Sequence, residues 1–193
     1  MSTDSAHAAN AHKVNAHKVK VATCSLAGCF GCHMSFLDMD ERIIPLIDLI
    51  QFDRSPLTDI KIIGDCDIGL IEGGLCNEEN VHVAQQFRQH CKILVAVGAC
   101  AINGGVPALR NRYTAQECLD ESYLHGLGVV DAQIPNDAEL PLLLPKVVPL
   151  QSAVHVDYFL PGCPPPADAF MEIINAVLQK REPQLDYATR RFD

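Results

Sequence analysis

Four times along this chain, an apolar run of strand character ends in a loop that carries glycine and cysteine. Residues 18–23 (Lys-Val-Lys-Val-Ala-Thr) lead into the loop 24–32, and residues 68–71 (Ile-Gly-Leu-Ile) into 72–76. Residues 93–97 lead into 100–105, and residues 154–160 into Cys163 and the prolines up to Pro166. Helical patterns stand between these runs, and the runs are apolar enough to be buried on both faces. Strands that alternate with helices in this way predict an α/β fold, a doubly wound, mostly parallel sheet with right-handed crossovers. A flavodoxin-like strand order is the first choice.

The helices announce themselves by period and by their ends. Phe36, Leu37, Ile43, Ile44, Ile47 and Ile50 fall at helical spacing, with Asp38, Asp40 and Glu41 near the positive end of the helix dipole. Pro45 is expected to bend or split that helix. Asn77 is an N-cap followed by Glu78 and Glu79, and Val83, Ala84 and Phe87 mark the inner face of its helix. Thr114-Ala-Gln-Glu117 is a capping box that opens the next one. Phe170, Ile173, Ile174 and Val177 line one face of the last. Residues 126–151 resist assignment, because Pro135, Pro141, Pro145 and Pro149 interrupt any long element. The apolar stretch 140–150 reads either as partner-facing surface or as core crossing the sheet edge.

Composition narrows the chemistry. The chain has 193 residues, nine cysteines and a formal net charge of −9. The acidic balance speaks against nucleic acid, which calls for a basic stripe. No apolar run reaches the roughly 20 residues of a membrane-spanning helix, so no membrane insertion is expected. Residues 1–17 read as a disordered, solvated tail with a short tandem repeat and His7, His12 and His17 at five-residue steps; residues 18–193 read as a single flavodoxin-like domain. The tail has no continuous apolar segment of a secretory signal, and the first arginine is Arg42, which leaves no twin-arginine signal. A cytoplasmic location follows as the expectation. Thiols stay reduced there, so cysteines serve as metal ligands or core residues more often than in disulfides. An odd number of cysteines cannot all pair within one chain in any case.

In a parallel sheet every strand-to-helix loop lies on one edge, where open α/β sheets bind ligands. Cys29, Cys32, Cys100 and Cys163 can therefore converge although they span more than half the chain. Cys29-Phe-Gly-Cys32 presents two thiolates from one turn, and Cys100 and Cys163 add one each. Four thiolates suit a [4Fe–4S] cluster or a structural zinc ion. Cys66, Cys91 and Cys118 read as structural. Cys24 and Cys76 stand on the functional edge without a clear duty, and Cys24 is the less compact substitute for Cys29.

Taken together, Gly28-Cys-Phe-Gly-Cys32, Ser35-Phe-Leu, Ile71-Glu-Gly, Val97-Gly-Ala-Cys100-Ala, Gly104-Gly-Val-Pro-Ala108 and Pro161-Gly-Cys163-Pro-Pro165 resemble the small subunit of [NiFe] hydrogenases. The wider family includes the cluster-bearing 20-kDa subunit of respiratory complex I, which begins with adjacent cysteines where this chain has Cys29-x-x-Cys32. Uptake hydrogenases carry a twin-arginine leader and a C-terminal extension for two more clusters, and the sequence shows neither. Leu37-Asp-Met-Asp-Glu-Arg42 and Leu57-Thr-Asp-Ile-Lys61 resemble most the small subunits of soluble, bidirectional NAD-reducing hydrogenases.

That resemblance implies one proximal [4Fe–4S] cluster on Cys29, Cys32, Cys100 and Cys163, and leaves Cys24 outside the ligand set. It implies a large-subunit partner that holds the nickel–iron site and splits hydrogen, and diaphorase subunits with iron–sulfur and flavin groups that reduce NAD. This chain would carry electrons between them. The alternatives are the equivalent subunit of another cytoplasmic hydrogenase or a complex-I-like assembly, and a zinc-stapled binding module. Glu72, at the end of a buried strand, is the candidate proton relay, balanced against a carboxylate that accepts loop N–H bonds. His33 is expected to face the surface rather than the cluster. FMN is the other cofactor that a flavodoxin-like edge takes; with the first loop given to the cluster, its absence from this subunit is the preferred expectation.

Overall fold

The structure, a computed structural model, describes residues 18–190; the expectation of a tail at residues 1–17 lies outside the described residues. Among the described residues, five parallel strands form the main sheet: β1 (Val19–Ser25), β2 (Ile50–Phe52), β3 (Cys66–Glu72), β5 (Cys91–Val97) and β7 (Tyr158–Leu160), with β4 (Leu75–Asn77) and β6 (Leu143–Val148) in a separate antiparallel pair. The order is β2-β1-β3-β5-β7, so the chain starts in the middle and winds outward both ways. This is the expected flavodoxin-like arrangement. The helices are α1 (Gly31–Leu37), α2 (Ile43–Ile47), α3 (Glu78–His90), α4 (Gly98–Asn103), α5 (Ala115–Tyr123) and α6 (Ala167–Leu178).

Alternation along each strand divides the core into two layers. Val21, Ile68, Leu70, Val95 and Val97 face α1 and α6, where Phe36, Phe170, Ile173 and Ile174 cover them. The Phe36 ring meets Phe52 and Phe170 edge to face, at centroid distances of 6.0 and 5.6 Å. Ala22, Cys24, Ile71, Leu94 and Ala96 face the other way, under Ala84 and Phe87 of α3 and Ala101 of α4. Both faces are buried, so the central strands read as near-continuous apolar runs rather than alternating ones.

The helix ends follow their local chemistry. Asn77 Oδ1 accepts the amide of Asn80 at 2.8 Å and starts α3. The capping box at Thr114 forms in both directions, at 3.1 Å from Glu117 N and 2.7 Å to Glu117 Oε2. Among the described residues, no helix is long and apolar enough to cross a membrane.

Several boundaries differ from expectation. The first strand runs on to Ser25, because its ladder to β3 continues through Cys24↔Ile71 and Ser25↔Glu72. The helix expected across 36–50 breaks at residues 38–42, not at Pro45. Pro45 sits in the first turn of α2, where a missing N–H costs no intrahelical bond. Ile50 belongs to β2, which pairs with β1 at Val19↔Ile50. The last strand is confined to Tyr158–Leu160. The apolar stretch 140–150 divides: Leu140, Leu142 and Leu143 are exposed, whereas Val147 and Leu150 are buried. Its β6 strand pairs with β4, a contact no local pattern encodes.

Candidate metal centre

The ends of β1, β3, β5 and β7 lie side by side, and the loops that leave them are tied to one another. Ala27 and Gly74 exchange backbone hydrogen bonds at 3.1 and 2.8 Å, zipping the first loop to the second. Ala99 N donates to Gly162 O at 2.8 Å, joining the β5 loop to the β7 loop. Ser35 Oγ donates to Pro165 O at 2.6 Å, closing the ring back to α1. These ties bring Cys29, Cys32, Cys100 and Cys163 to one rim. The thiols of Cys29 and Cys100 add electrostatically to the environment of Cys32, and those of Cys163 and Cys29 to that of Cys100. Cys29 and Cys163 are exposed, and Cys32 and Cys100 are half-buried.

Two glycines make room for the sulfurs. A Cβ on Gly98 would stand 2.4 Å from Cys32 Sγ, and one on Gly105 would stand 2.7 Å from Cys100 Sγ. Both adopt positive φ, +79° and +49°, which side chains rarely tolerate. Between the first two cysteines, Phe30 is itself left-handed at φ 66°, and its ring stacks on His33 at 4.7 Å. Burial pushes the thiol of Cys32 well up from its ordinary value, with the Glu72 carboxylate adding to the effect, and burial pushes Cys100 up as well.

Glu72 lies just beneath. It is 3% exposed and ends β3. Its Oε2 accepts the amides of Cys32 at 2.9 Å and His33 at 3.3 Å, in the first turn of α1. Its Oε1 stands 3.1 Å from His33 Nδ1. Burial opposes ionisation of Glu72, but the hydrogen bonds of His33 and Ser25 outweigh it and hold the carboxyl below its ordinary value. His33 does not face the surface, contrary to expectation. It is 6% exposed, because α1 turns it under the sheet edge toward Thr23 of β1, and its Nε2 stands 2.9 Å from Thr23 Oγ1. Thr23 and Ser55, whose hydroxyls are 2.7 Å apart, belong to this buried polar cluster and carry no signal in the sequence.

The other cysteines stand apart from the rim. Cys24 is inside β1, not in the loop, and points into the layer beneath α3. Cys66 and Cys91 are register partners on β3 and β5. Burial pushes Cys91 up to about 12, with Cys66 contributing, and pushes Cys66 up to about 11. Such thiols are inert at neutral pH. Cys76 donates to Asn80 Oδ1 at 3.2 Å, which fastens it to the start of α3 rather than to the rim. Cys118 lies on α5, half-buried.

Among the described residues, no three His, Cys, Asp or Glu side chains form a group fit for one metal ion. A zinc ion would draw four thiolates within about 2.3 Å of a single point. A cubane asks for one thiolate on each of four irons, spread around its corners. The donor set that the structure offers is four thiols around a glycine-lined rim.

This edge and fold have known counterparts. Residues 29–177 match the family described as NADH ubiquinone oxidoreductase, 20 kDa subunit, and the chain belongs to that family. Within it, the chain is 44% identical over 177 residues to the delta subunit of the NAD-reducing hydrogenase HoxS from Cupriavidus necator, covering 90% of this chain and 85% of that one. It is 37% identical to a subunit of the F420-non-reducing hydrogenase vhu from Methanococcus voltae, but covers only 56% of that longer protein. Among solved structures it matches a chain of an NAD+-reducing [NiFe]-hydrogenase in the H2-reduced state, with 52% identity, a TM-score of 0.89 and coverage of 91% of this chain and 99% of that one.

Proposed function

We propose that this chain is the electron-transfer small subunit of a cytoplasmic [NiFe] hydrogenase that reduces NAD, acting as one cluster-binding domain. The observation that carries this is the rim of four thiols, Cys29, Cys32, Cys100 and Cys163, on the ends of parallel strands, together with the likeness to the NAD-reducing hydrogenase subunit. The four cysteines would hold one [4Fe–4S] cluster. When bound, a cluster of this kind supplies one-electron uptake and release, over a potential range of roughly −700 to +450 mV set by its surroundings. A large-subunit partner would convert H2 into two protons and two electrons, reversibly, and diaphorase subunits would receive the electrons. The work of this chain is to fix four sulfurs, exclude side chains from the space between them through Gly98 and Gly105, and seat the first turn of α1 on Glu72.

For Glu72 the geometry supports the acceptor role, since its Oε2 is already engaged by two amides. A proton relay is the other role proposed for it, and unchanged hydrogen turnover in Glu72→Gln removes that role. The edge is assigned to the cluster alone; FMN released by acid extraction would add a second cofactor.

The test is anaerobic purification with the partner subunits, followed by iron and sulfide analysis and EPR of the reduced protein. About four irons and four sulfides per chain are expected, the composition of one cubane. No iron, or a full cluster in Cys163→Ser, contradicts the assignment. Co-purification with a different large subunit would move the chain to another hydrogenase or a complex-I-like assembly.

A further inference from the structure

His33 is gripped on three sides at the point where the rim meets the core. Phe30 lies parallel to its ring, at 4.7 Å and 6°. Nδ1 faces Glu72 Oε1 at 3.1 Å, and Nε2 faces Thr23 Oγ1 at 2.9 Å. Behind Thr23 stands Ser55 at 2.7 Å, and Ser55 Oγ accepts the amide of Leu57 at 3.1 Å. One direction satisfies the whole row. The Leu57 amide donates to Ser55, the Ser55 hydroxyl to Thr23, and the Thr23 hydroxyl to Nε2. Nδ1 is left in close contact with Glu72 Oε1, at 3.1 Å. In this direction each hydroxyl donates once and accepts once.

Four polar side chains buried to 2–6% exposure are costly to desolvate, so their arrangement calls for a use. Packing alone would be met by apolar groups of the same shape. The row does more than pack. It ends on the oxygen of Glu72 to which no amide is bonded, since Oε2 takes the amides of Cys32 and His33 while Oε1 stands 3.1 Å from the imidazole. A carboxylate free to turn about its last bond would present either oxygen to the amides, or neither.

We propose that His33, anchored through Thr23 and Ser55, is a positioning residue that locks the Glu72 carboxylate onto the amide of Cys32. Its effect on a bound cluster rests on the function proposed above; its effect on the amide does not. Locking that amide fixes the torsion that places Cys32 Sγ on the rim, and the backbone dipoles around cluster sulfurs tune the potential. Phe30, left-handed between Cys29 and Gly31, is the lid that keeps the ring in this pose.

The experiment compares three substitutions in the full chain purified with its partners. His33→Asn keeps a nitrogen where Nδ1 stands, toward Glu72. His33→Gln places it toward Thr23 instead, and His33→Leu removes both contacts. Hydrogen exchange of the segment 29–36 and EPR-monitored redox titration are read on each. In the Leu and Gln variants, exchange at the start of α1 is expected to rise about tenfold, the factor that accompanies loss of one buried hydrogen bond. The midpoint potential is expected to move, with iron content retained, and the Asn variant, which keeps the nitrogen toward Glu72 but not the Thr23 anchor, should fall between the Leu variant and wild type in both readouts. Equal behaviour of all three substitutions, or exchange that stays at the wild-type rate, overturns the proposal. Thr23→Val, which keeps the side chain's shape, should shift exchange in the same direction; it decides the matter if the His33 variants do not fold, and an unshifted rate there overturns the anchor. A wild-type chain without iron would sink the cluster assignment and leave the exchange arm standing.

Discussion

The Oε2 atom of Glu72 accepts the amide of Cys32 at 2.9 Å across 40 residues of sequence. One bond joins the last residue of a central strand to the first turn of the helix that follows another strand. It also joins the buried core to the exposed rim, because Cys32 is at once a core neighbour and a candidate ligand. The position of that sulfur is therefore set from beneath.

Replacing Glu72 tests the joint. Glu72→Ala leaves two amides and the His33 imidazole buried without their acceptor. Unsatisfied groups of this kind cost about 1–3 kcal/mol each, so urea denaturation of the variant is expected to show a loss of that order or more. Glu72→Gln keeps an acceptor for the amides and should lose less. Equal midpoints for wild type and Glu72→Ala would show the bond to be idle.

Gly98 is a second point of control. Alanine there meets Cys32 Sγ at 2.4 Å in a left-handed backbone, a conformation that costs on the order of 1–3 kcal/mol for a side-chain-bearing residue. The Gly98→Ala chain is expected to hold clearly less iron than wild type under identical reconstitution. A full complement of iron and sulfide would mean that Cys32 is not where the cluster sits.

The cysteines inside the core should be dispensable to the metal. Cys24 lies in β1 among Ala22, Ile71 and Leu75, away from the rim. Cys24→Ala is expected to retain iron, sulfide and the EPR signal, at a stability cost of about 1 kcal/mol for a small cavity. Cys163→Ser should lose the signal. If the two behave alike, the division of the cysteines is wrong.

Asp157 ties the edge of the sheet. It accepts the Leu94 amide at 2.7 Å and Arg88 Nη1 at 2.6 Å, with His155 Nε2 3.5 Å away. Its partial burial opposes ionisation, but the Leu94 amide and then Arg88 outweigh it, so the carboxyl is held below its ordinary value. A carboxyl lowered on folding contributes stability above its unfolded value of about 3.9, and that contribution disappears as pH falls through the folded value. Asp157→Asn should therefore be less stable than wild type near neutral pH by about 1–2 kcal/mol. The gap should narrow as pH falls below about 4. Denaturation midpoints of the two proteins between pH 6 and 3 measure it; a constant gap would show that the charge contributes nothing.

Much of this architecture is legible in the order of residues alone. Ile93 to Val97 is apolar on both sides because both sides are covered, and that signal is local. Asn77 and Thr114 cap their helices with groups three residues away, which is local as well. The strands without such a signal are short and held by partners far off. Ile50–Phe52 has only three residues, so its β character comes from pairing with Val19–Val21. Leu143–Val148 contains Pro145 and exists as a strand because Leu75–Asn77 offers it an edge. Pairing of that kind leaves no period behind to be read.

The same line runs through the site. Cysteine and glycine types, their spacing, and their place after apolar runs belong to the chain itself, and they suffice to nominate Cys29, Cys32, Cys100 and Cys163. Parallel strands must put their following loops on one edge, so the convergence follows from topology. Which way a side chain faces is another matter. Cys24 goes inward because the β1 ladder extends through Ser25, and strand alternation then sends it beneath α3. His33 is buried rather than exposed because α1 starts at Gly31 and turns the ring toward Thr23 and Glu72, residues 10 and 39 positions away. Residue types and their order thus set which chemistry is available and the edge where it gathers. What holds that edge in place emerges only in the folded chain, because hydrogen bonds between distant side chains depend on directions that close over the whole fold and not on spacing along the chain.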